Sequence, residues 1–293
     1  MFGPYNEATK IEYNMKTITT RSITSIISAS AAFALTAPSS FGGVVSYFPF
    51  EGNALDPLGG RNGTLVSDAS FSNNVPSAIS ARSQQSLSLD GNNDRVFYDV
   101  PLGDTISGEF SVGGWVLFSD VPPPSGNAAF FGTRGPGSTF GFDFKLRGNR
   151  LRVDIGDGTK FLAVAADSPV LPFSSDTWYH VAAVITRAGY NVFLDGVSVM
   201  TGSYPDSIPL LIDEQHDFSF GSIGGPITSN EDIRGRLDDF FIANSALTPA
   251  QIADIASGAQ IVPEPTAVSL LGLAGVVLIG IGRRRSSLPA IAS

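Results

Sequence analysis

Apolar residues alternate with small or polar ones throughout residues 178–202. Val181, Ala183 and Ile185 occupy every second position, and the same spacing resumes on either side of a reversal at residues 195–196. This period predicts β-strands with one buried face, and the Asp-Gly reversal predicts a hairpin turn. Because such a hairpin is not stable alone in water, the rest of the chain must cover it. The sequence therefore predicts an all-β protein.

Similar short alternating stretches recur along the chain. They lie at residues 44–50, 85–91, 110–118, 140–144, 151–155, 218–221 and 237–243. The 32 glycines and 19 prolines lie mostly between these stretches, as a fold with many turns requires. The helix that the sequence predicts is the last element, where Thr248, Pro249 and Gln251 form a capping box and Gly258 ends it. Closely spaced strands without intervening helices predict a single antiparallel β-sandwich domain.

Composition and charge restrict the kind of partner. The formal net charge is −9, and no basic stripe interrupts the acidic middle of the chain. Such a surface repels nucleic acid and anionic membranes, so we expect no nucleic-acid partner. The chain contains no cysteine, which excludes disulfides, thiolate metal sites and a thiol nucleophile. These properties are consistent with a secreted, soluble module that binds cations.

The first 37 residues have the pattern of a secretory signal peptide. Lys16 and Arg21 precede an apolar stretch at residues 23–35, which is too short to span a bilayer, and small residues follow it. Met15 is a second possible start, because a signal peptide normally begins close to its basic residues. The alternative interpretations are a buried first helix and a membrane anchor.

The C-terminal residues form a second export-related pattern. Pro263, Glu264 and Pro265 precede sixteen uncharged, mostly apolar residues at 267–282, which are a short transmembrane candidate. The basic residues Arg283, Arg284 and Arg285 follow directly.

Residues 262–287 closely resemble the PEP-CTERM sorting tail of bacterial exported proteins. The resemblance implies that the chain is held transiently in the inner membrane by its C-terminal helix. It also implies processing near Pro-Glu-Pro by an exosortase, a membrane-embedded transpeptidase. The expected destination is the cell surface or the extracellular matrix, often in species that make exopolysaccharide.

Six motifs in residues 44–258 together resemble the laminin-G-like, concanavalin A-type jelly-roll family. In order they are Y-F-P-F-E-G-N-A-L-D, S-L-S-L-D-G, F-S-V-G-G-W-V, W-Y-H-V-A-A-V, V-F-L-D-G and G-R-L-D-D-F-F-I-A-N-S-A-L-T-P-A-Q-I. The resemblance implies a sandwich of two curved sheets in the fourteen-strand class. Domains of this family mostly bind carbohydrate or protein, frequently with a structural calcium ion.

A calcium site is the candidate chemistry of this domain. Asp238 shares parity with Phe240 and Ile242, so it points inward if they do, and an unpaired buried carboxylate is costly. Asp239 shares parity with Leu237 and Phe241 instead. The alternation alone therefore does not decide which of the two aspartates faces the core.

The remaining candidate ligands lie on a polar loop that the family packs beside this strand. They are Glu51, the backbone around Asn53, and Asp56. Mixed carboxylate and carbonyl oxygens suit Ca²⁺. The alternative is that the Asp238 carboxylate forms an ion pair with Arg236 or accepts hydrogen bonds from backbone N–H groups, without a metal ion.

We expect no catalytic activity. Glycosidases built on this sandwich place two carboxylates at a short spacing on one strand, and no pair of glutamates in the domain has that spacing. His180 and His216 are too far apart in sequence to indicate a zinc site. Trp115 and Trp178 fit core positions better than sugar-stacking positions.

The leading hypothesis is therefore an exported surface or matrix protein whose non-catalytic domain binds polysaccharide. One alternative is a structural or protein-interaction component of the matrix that binds no sugar. The third hypothesis is a divergent glycosidase, which requires a carboxylate pair in a groove.

Overall fold

The computed structural model describes residues 41, 43–100, 102, 108–133, 140–205, 207–209, 218–223 and 231–261. The chain divides into two units, Met1–Ser39 and Ser40–Ser293, and all the described residues belong to the second. The predicted signal peptide, the sorting tail and its arginines, and His216 lie outside the described residues. Within the described ranges, no helix is long and apolar enough to cross a membrane.

The described part of the chain forms strands, one short 3₁₀ helix (Ser77–Ile79) and one α-helix, α1 (Pro249–Ala256). The strands are β1 (Val44–Phe48), β2 (Leu55–Asp56), β3 (Arg61–Asn62), β4 (Thr64–Val66), β5 (Ser70–Ser72), β6 (Ser86–Asp90), β7 (Arg95–Tyr98), β8 (Phe110–Phe118), β9 (Asn127–Gly132), β10 (Phe142–Arg147), β11 (Arg150–Gly156), β12 (Phe161–Asp167), β13 (Trp178–Ile185), β14 (Gly189–Leu194), β15 (Val197–Ser203), β16 (Phe218–Phe220) and β17 (Arg234–Ala243).

Two antiparallel sheets contain nearly all of these strands. The eight-stranded sheet has the order β15-β14-β13-β8-β17-β6-β5, with β1 also paired to β17. The seven-stranded sheet has the order β12-β11-β10-β9-β16-β7-β4. Strands adjacent in a sheet are often distant in sequence, as in β8 and β17, which is the connectivity of a jelly roll. The prediction of an all-β antiparallel sandwich is confirmed.

The main core fills the space between the two sheets and is rich in phenylalanine. Phe48, Tyr98, Phe218 and Phe220 are fully buried and form its aromatic centre. The rings of Tyr98 and Phe218 stack with centroids 4.5 Å apart, and those of Phe48 and Phe220 meet edge to face at 4.7 Å. Aromatic pairs of this geometry add to the stabilisation from burial alone.

A second apolar cluster lies on the other face of the eight-stranded sheet, under α1. Ile252 and Ile255 of the helix pack with Phe193 and Phe241 of the sheet. Thr248 caps the helix in a complete capping box with Gln251, as the sequence predicts. This helix therefore covers apolar positions that would otherwise face solvent.

The stretch at residues 178–202 forms the three consecutive strands β13, β14 and β15, as predicted. Asp195 and Gly196 both have positive φ, 49° and 79°. A two-residue turn of this kind matches the right-handed twist of the strands it joins.

Strand β17 contains a bulge that changes which side chains face the core. Asp238 lies opposite Trp115 of β8, whereas Phe241 lies opposite Gly113, so β17 has one extra residue here. Asp239 has a φ of 47°, and Leu237 and Phe240 both face the main core. Because Asp238 directly follows Leu237, it faces away from that core. The prediction that Asp238 shares a face with Phe240 is wrong for this reason, although Asp238 is fully buried.

Candidate functional site

Glu51 and Asp238 converge on one segment of the chain, Ser83–Gln85. The Glu51 carboxylate accepts hydrogen bonds from the backbone N–H groups of Gln84 at 2.9 Å and Gln85 at 3.2 Å. Asp238 Oδ2 accepts a hydrogen bond from the Ser83 hydroxyl at 3.0 Å. The structure therefore brings together two of the four predicted ligands, although they are far apart in sequence.

The environment of Asp238 disfavours its charged form. Burial, followed by the negative charge of Asp239, raises its pKa from 3.8 to about 9. The Ser83 hydroxyl and the Asp239 N–H oppose this shift, and the charge of Glu51 adds to it. Without a cation nearby, Asp238 therefore carries a proton at neutral pH.

Asp239 is compensated by two other groups. Its Oδ1 accepts a short hydrogen bond from the Tyr47 hydroxyl, and its Oδ2 forms an ion pair with Arg82 at 2.6 Å. Burial and the charge of Asp239 raise the pKa of Tyr47, so this phenol remains a donor. Arg82 also donates to the carbonyl of Gly258, which follows α1. We call Glu51, Asp238 and Asp239 the acidic cluster.

The backbone beside the acidic cluster is in unusual conformations. Phe50 and Asp239 have positive φ, 54° and 47°, which is uncommon for residues other than glycine. Gly52 has a φ of 68°, and a Cβ there would lie 2.6 Å from Oε1 of Gln85. Positive φ at non-glycine residues is costly and clusters at functional sites.

The other two predicted ligands are placed differently. The Asn53 side chain donates to the Glu51 carbonyl and accepts from the Leu55 N–H, so it shapes the turn that follows Glu51. Asp56 is buried and forms an ion pair with Arg61 at 3.1 Å, and its Oδ1 accepts from the N–H groups of Tyr47 and Gly59. The Asp56 carboxylate therefore has its own cation, and the structure does not place it with Asp238.

A calcium ion fits part of this arrangement. Glu51 supplies a carboxylate near the buried Asp238, which has no ion pair among the described residues. The Ser83 hydroxyl contacts Asp238 at 3.0 Å and the Gln85 carbonyl at 3.3 Å. Among the described residues, no group of three histidine, aspartate or glutamate side chains could hold a metal ion. A calcium site here would need main-chain carbonyls and water to complete its oxygen ligands.

A cleft of about 510 Å³ opens beside the acidic cluster. Its lining is mostly amide and hydroxyl side chains, namely Asn73, Val75, Ser80, Ser83, Gln84 and Gln85. Ser83 belongs to both features, since its hydroxyl donates to Asp238. Amides and hydroxyls offer both donors and acceptors, as sugar hydroxyls do. We call this the Gln84 cleft.

Trp115 and His180 form a buried pair on the outer face of the eight-stranded sheet, which is the face on which Asp238 lies. Their rings meet edge to face at 5.4 Å, and neither ring nitrogen of His180 has a hydrogen-bond partner among the residues that the structure describes. Complete burial lowers the pKa of His180 to about 3, so the imidazole is neutral. Trp178 is only partly buried, and its Nε1 donates to Asn74 Oδ1 at 3.0 Å, next to the Gln84 cleft.

The outer face of the seven-stranded sheet carries a carboxylate pair that sequence spacing did not indicate. Asp143 of β10 lies directly opposite Asp154 of β11. The Lys145 ammonium lies 3.4 Å from the first, 3.1 Å from the second and 2.7 Å from Glu231. Burial alone lowers the pKa of Lys145, but these three carboxylates raise it above its ordinary value. The lysine therefore stays charged and fills the space between the two aspartates.

The geometry defines a two-sheet jelly-roll sandwich with a polar cleft on an outer face. The family model for Laminin_G_3, described as the concanavalin A-like lectin/glucanases superfamily, matches residues 89–253, more than half of the chain. The chain belongs to this family. No curated protein sequence matches the chain.

Solved structures similar to this chain include several saccharide-binding domains. Domain 4 of AbnA, an extracellular arabinanase from Geobacillus stearothermophilus solved with arabinotriose, has a TM-score of 0.55 and 18% identity. That match covers 73% of this chain and 98% of the domain. Botulinum neurotoxin type C, whose cell entry depends on interaction with two ganglioside molecules, has a TM-score of 0.54 and 13% identity, covering 74% of this chain and 51% of that chain. At these identities the likeness shows the shared fold.

Proposed function

We propose that this chain is an exported, non-catalytic protein that binds polysaccharide through the Gln84 cleft. The observation that carries the proposal is the cleft itself, whose amide and hydroxyl lining lies beside the acidic cluster. The family and the structural neighbours that bind arabinotriose or gangliosides support a saccharide ligand. In this proposal the domain acts at the cell surface or in the extracellular matrix.

Calcium is part of the proposal as a structural ion bound by Glu51 and Asp238. When bound, the ion would supply positive charge that keeps Asp238 ionised and fixes the segment at residues 83–85. That segment provides three side chains of the Gln84 cleft, so a calcium ion would also order the sugar-binding groups. Asp56 is left out of this ligand set, because Arg61 neutralises it.

The absence of catalysis is also proposed from the described geometry. A glycosidase needs space between its two carboxyl groups for the substrate oxygen. Between Asp143 and Asp154 that space contains the Lys145 ammonium. The pair is therefore better explained as a buried ion network that stabilises the hairpin.

Export and sorting remain proposals from the ends of the sequence. The tail at residues 262–287 would hold the chain in the inner membrane until an exosortase acts near Pro263, Glu264 and Pro265. Replacing Glu264 with alanine in the producing cell should then leave the chain in the membrane fraction. Normal release of that variant would contradict the sorting proposal and would leave the binding proposal intact.

The binding proposal is tested by calorimetry of the full chain with arabinan and other neutral polysaccharides, with calcium or with a chelator. We expect Gln84→Ala to weaken binding roughly 3- to 10-fold, the usual effect of losing one or two neutral hydrogen bonds. Asn92→Ala is the matched control, because Asn92 is an exposed amide outside the cleft. Equal effects of the two variants would place binding elsewhere, and no binding at all would favour a structural or protein-binding role.

A further inference from the structure

The β10–β11 hairpin places like charges directly opposite one another on its outer face. Three successive cross-strand pairs have this property, namely Asp143 with Asp154, Lys145 with Arg152, and Arg147 with Arg150. Like charges directly opposite each other in an antiparallel pair are destabilising. Each pair therefore needs a compensating charge from elsewhere, and the structure shows which pairs have one.

In the first two pairs every side chain contacts an opposite charge within the protein. Lys145 lies between Asp143 and Asp154, as described above. Arg152 pairs with Asp167 of the neighbouring strand β12, with Nη2 2.9 Å from Oδ2. Each of these four side chains is consequently in contact with a group of opposite charge.

The third pair, at the tip of the hairpin, is not neutralised. Within the described part of the chain, no carboxylate lies within ion-pair distance of Arg147 or Arg150. Arg150 donates to the Ser168 carbonyl at 2.6 Å, which uses only part of its donor capacity. Two neighbouring guanidinium groups thus keep free donors on a protein whose net charge is −9.

These two arginines line a cleft of about 610 Å³. The proline-rich loop also lines this cleft through Pro122 and Pro124, and so does Asn149 at the hairpin turn. The turn packs closely on that loop, because the Gly148 N–H donates to the Gly126 carbonyl at 3.2 Å. The volume lies within the usual range for small-ligand pockets. Asp167, which also contacts the cleft, is already neutralised by Arg152.

We propose that this cleft binds the carboxylate of a uronic acid unit in an acidic polysaccharide. A guanidinium group presents paired N–H donors that match the two oxygens of a carboxylate. Directly opposite residues have Cβ atoms about 5 Å apart, so both arginines can reach one sugar unit. The proline side chains and the Asn149 amide then face the apolar and hydroxyl parts of the ring. This site is separate from the Gln84 cleft, and the inference adds an acidic ligand class to the proposed function.

The test is binding of the full chain to polygalacturonate, with its fully methyl-esterified form as the neutral counterpart. The measurement is made at an ionic strength of about 0.15 M, where the Debye length of about 8 Å screens the overall negative charge of the protein. The variant is Arg147→Gln, since Arg147 has no partner within the described residues whose loss would disturb folding. The control is Arg234→Gln. Arg234 is an exposed residue of the eight-stranded sheet that pairs with Asp120, so this variant removes an equal charge at a distant position.

We expect polygalacturonate to bind and the methyl ester to bind roughly tenfold more weakly or worse. Arg147→Gln should weaken polygalacturonate binding roughly tenfold, whereas Arg234→Gln should change it less than about twofold. Equal losses in the two variants, equal binding of the ester, or no binding would overturn the inference. Dextran sulfate that binds as tightly, with the same dependence on Arg147, would overturn the assignment to a carboxylate. Arabinan binding that depends on Gln84 is unaffected by any of these outcomes, so the two proposals fail separately.

Discussion

Replacing Asp238 with asparagine should stabilise the calcium-free protein at neutral pH and abolish its response to calcium. Asparagine has nearly the same shape as protonated aspartic acid. Its amide oxygen can accept the hydrogen bond from the Asp239 N–H, and the Ser83 hydroxyl can rotate to accept from its amide N–H group. Unlike aspartate, it does not need to take up a proton in order to be buried. The substitution therefore separates the cost of burying this group from its role as a metal ligand.

The magnitude follows from the pKa of Asp238, which burial raises from 3.8 to about 9. Because the folded state binds a proton that the unfolded state has lost, the free energy of unfolding falls as pH rises from about 4 to about 9. The loss is about 1.4 kcal/mol per pH unit, so it reaches about 4 kcal/mol at pH 7. Asp238→Asn removes this loss, and for a domain of this size it should raise Tm by roughly 8–16 °C at neutral pH.

The assay is thermal unfolding of the full chain at about pH 4.5 and about pH 8 after calcium has been removed. The stabilisation by Asp238→Asn should be small at the lower pH and large at the higher one. Calcium should raise Tm of the wild-type chain in a concentration-dependent way and leave that of the variant unchanged. Asp120→Asn is the matched control, because Asp120 is exposed and, in the described part of the chain, has Arg234 as its one ion-pair partner.

A different result would refute the reasoning. If Asp238→Asn destabilised the protein equally at both pH values, Asp238 would be ionised in the calcium-free fold. The burial argument would then be wrong, and a hydrogen-bonding role of the carboxylate would replace it. A calcium response that survived the substitution would remove Asp238 from the ligand set.

Three further predictions concern the metal, the core and the ion network. Calcium affinity should rise up to about tenfold per pH unit between about pH 5 and pH 9, because calcium binding must release the proton of Asp238. Calorimetry in buffers of different ionisation enthalpy detects this proton release. An affinity that does not change with pH would contradict a protonated Asp238. Gly114→Ala should destabilise the fold by about 1–3 kcal/mol in urea unfolding, because the added methyl group would collide with the buried Phe240 ring. An unchanged urea midpoint would mean that the Phe240 ring can move aside without a measurable cost. Lys145→Met should cost about 3–5 kcal/mol, since it removes a buried ammonium that contacts three carboxylates. A smaller loss at low pH would identify the charge of the carboxylates as the cause.

Local alternation was enough to predict most of the strands and the fold class. Every second residue of β13 faces the main core, and the Asp195-Gly196 turn carries its own signature in the sequence. The cap of α1 is equally local, because Thr248 and Gln251 are three positions apart. These features could be predicted because short-range geometry alone determines them.

The acidic cluster was harder to predict, because its geometry depends on a single extra residue in β17. The bulge at Asp239 reverses the face on which Asp238 lies, and nothing in the alternation of that strand indicates it. Arg82 and Ser83 lie in an irregular segment without periodicity, so no local pattern indicates their role. The Asp143–Asp154 pair was missed for a related reason, since it forms across two strands and not along one.

The second apolar cluster has a mechanical consequence. Phe41 and Ile261, the first and last described residues, both belong to that cluster. The chain therefore enters and leaves the sandwich at one patch, on the outside of the eight-stranded sheet. Tension applied between the two ends would act first on this patch, and so on α1 and the start of β1, whereas Phe48 at the end of β1 is anchored in the aromatic centre between the sheets. A domain tethered in this way can bear load at its attachment point while its interior stays undistorted.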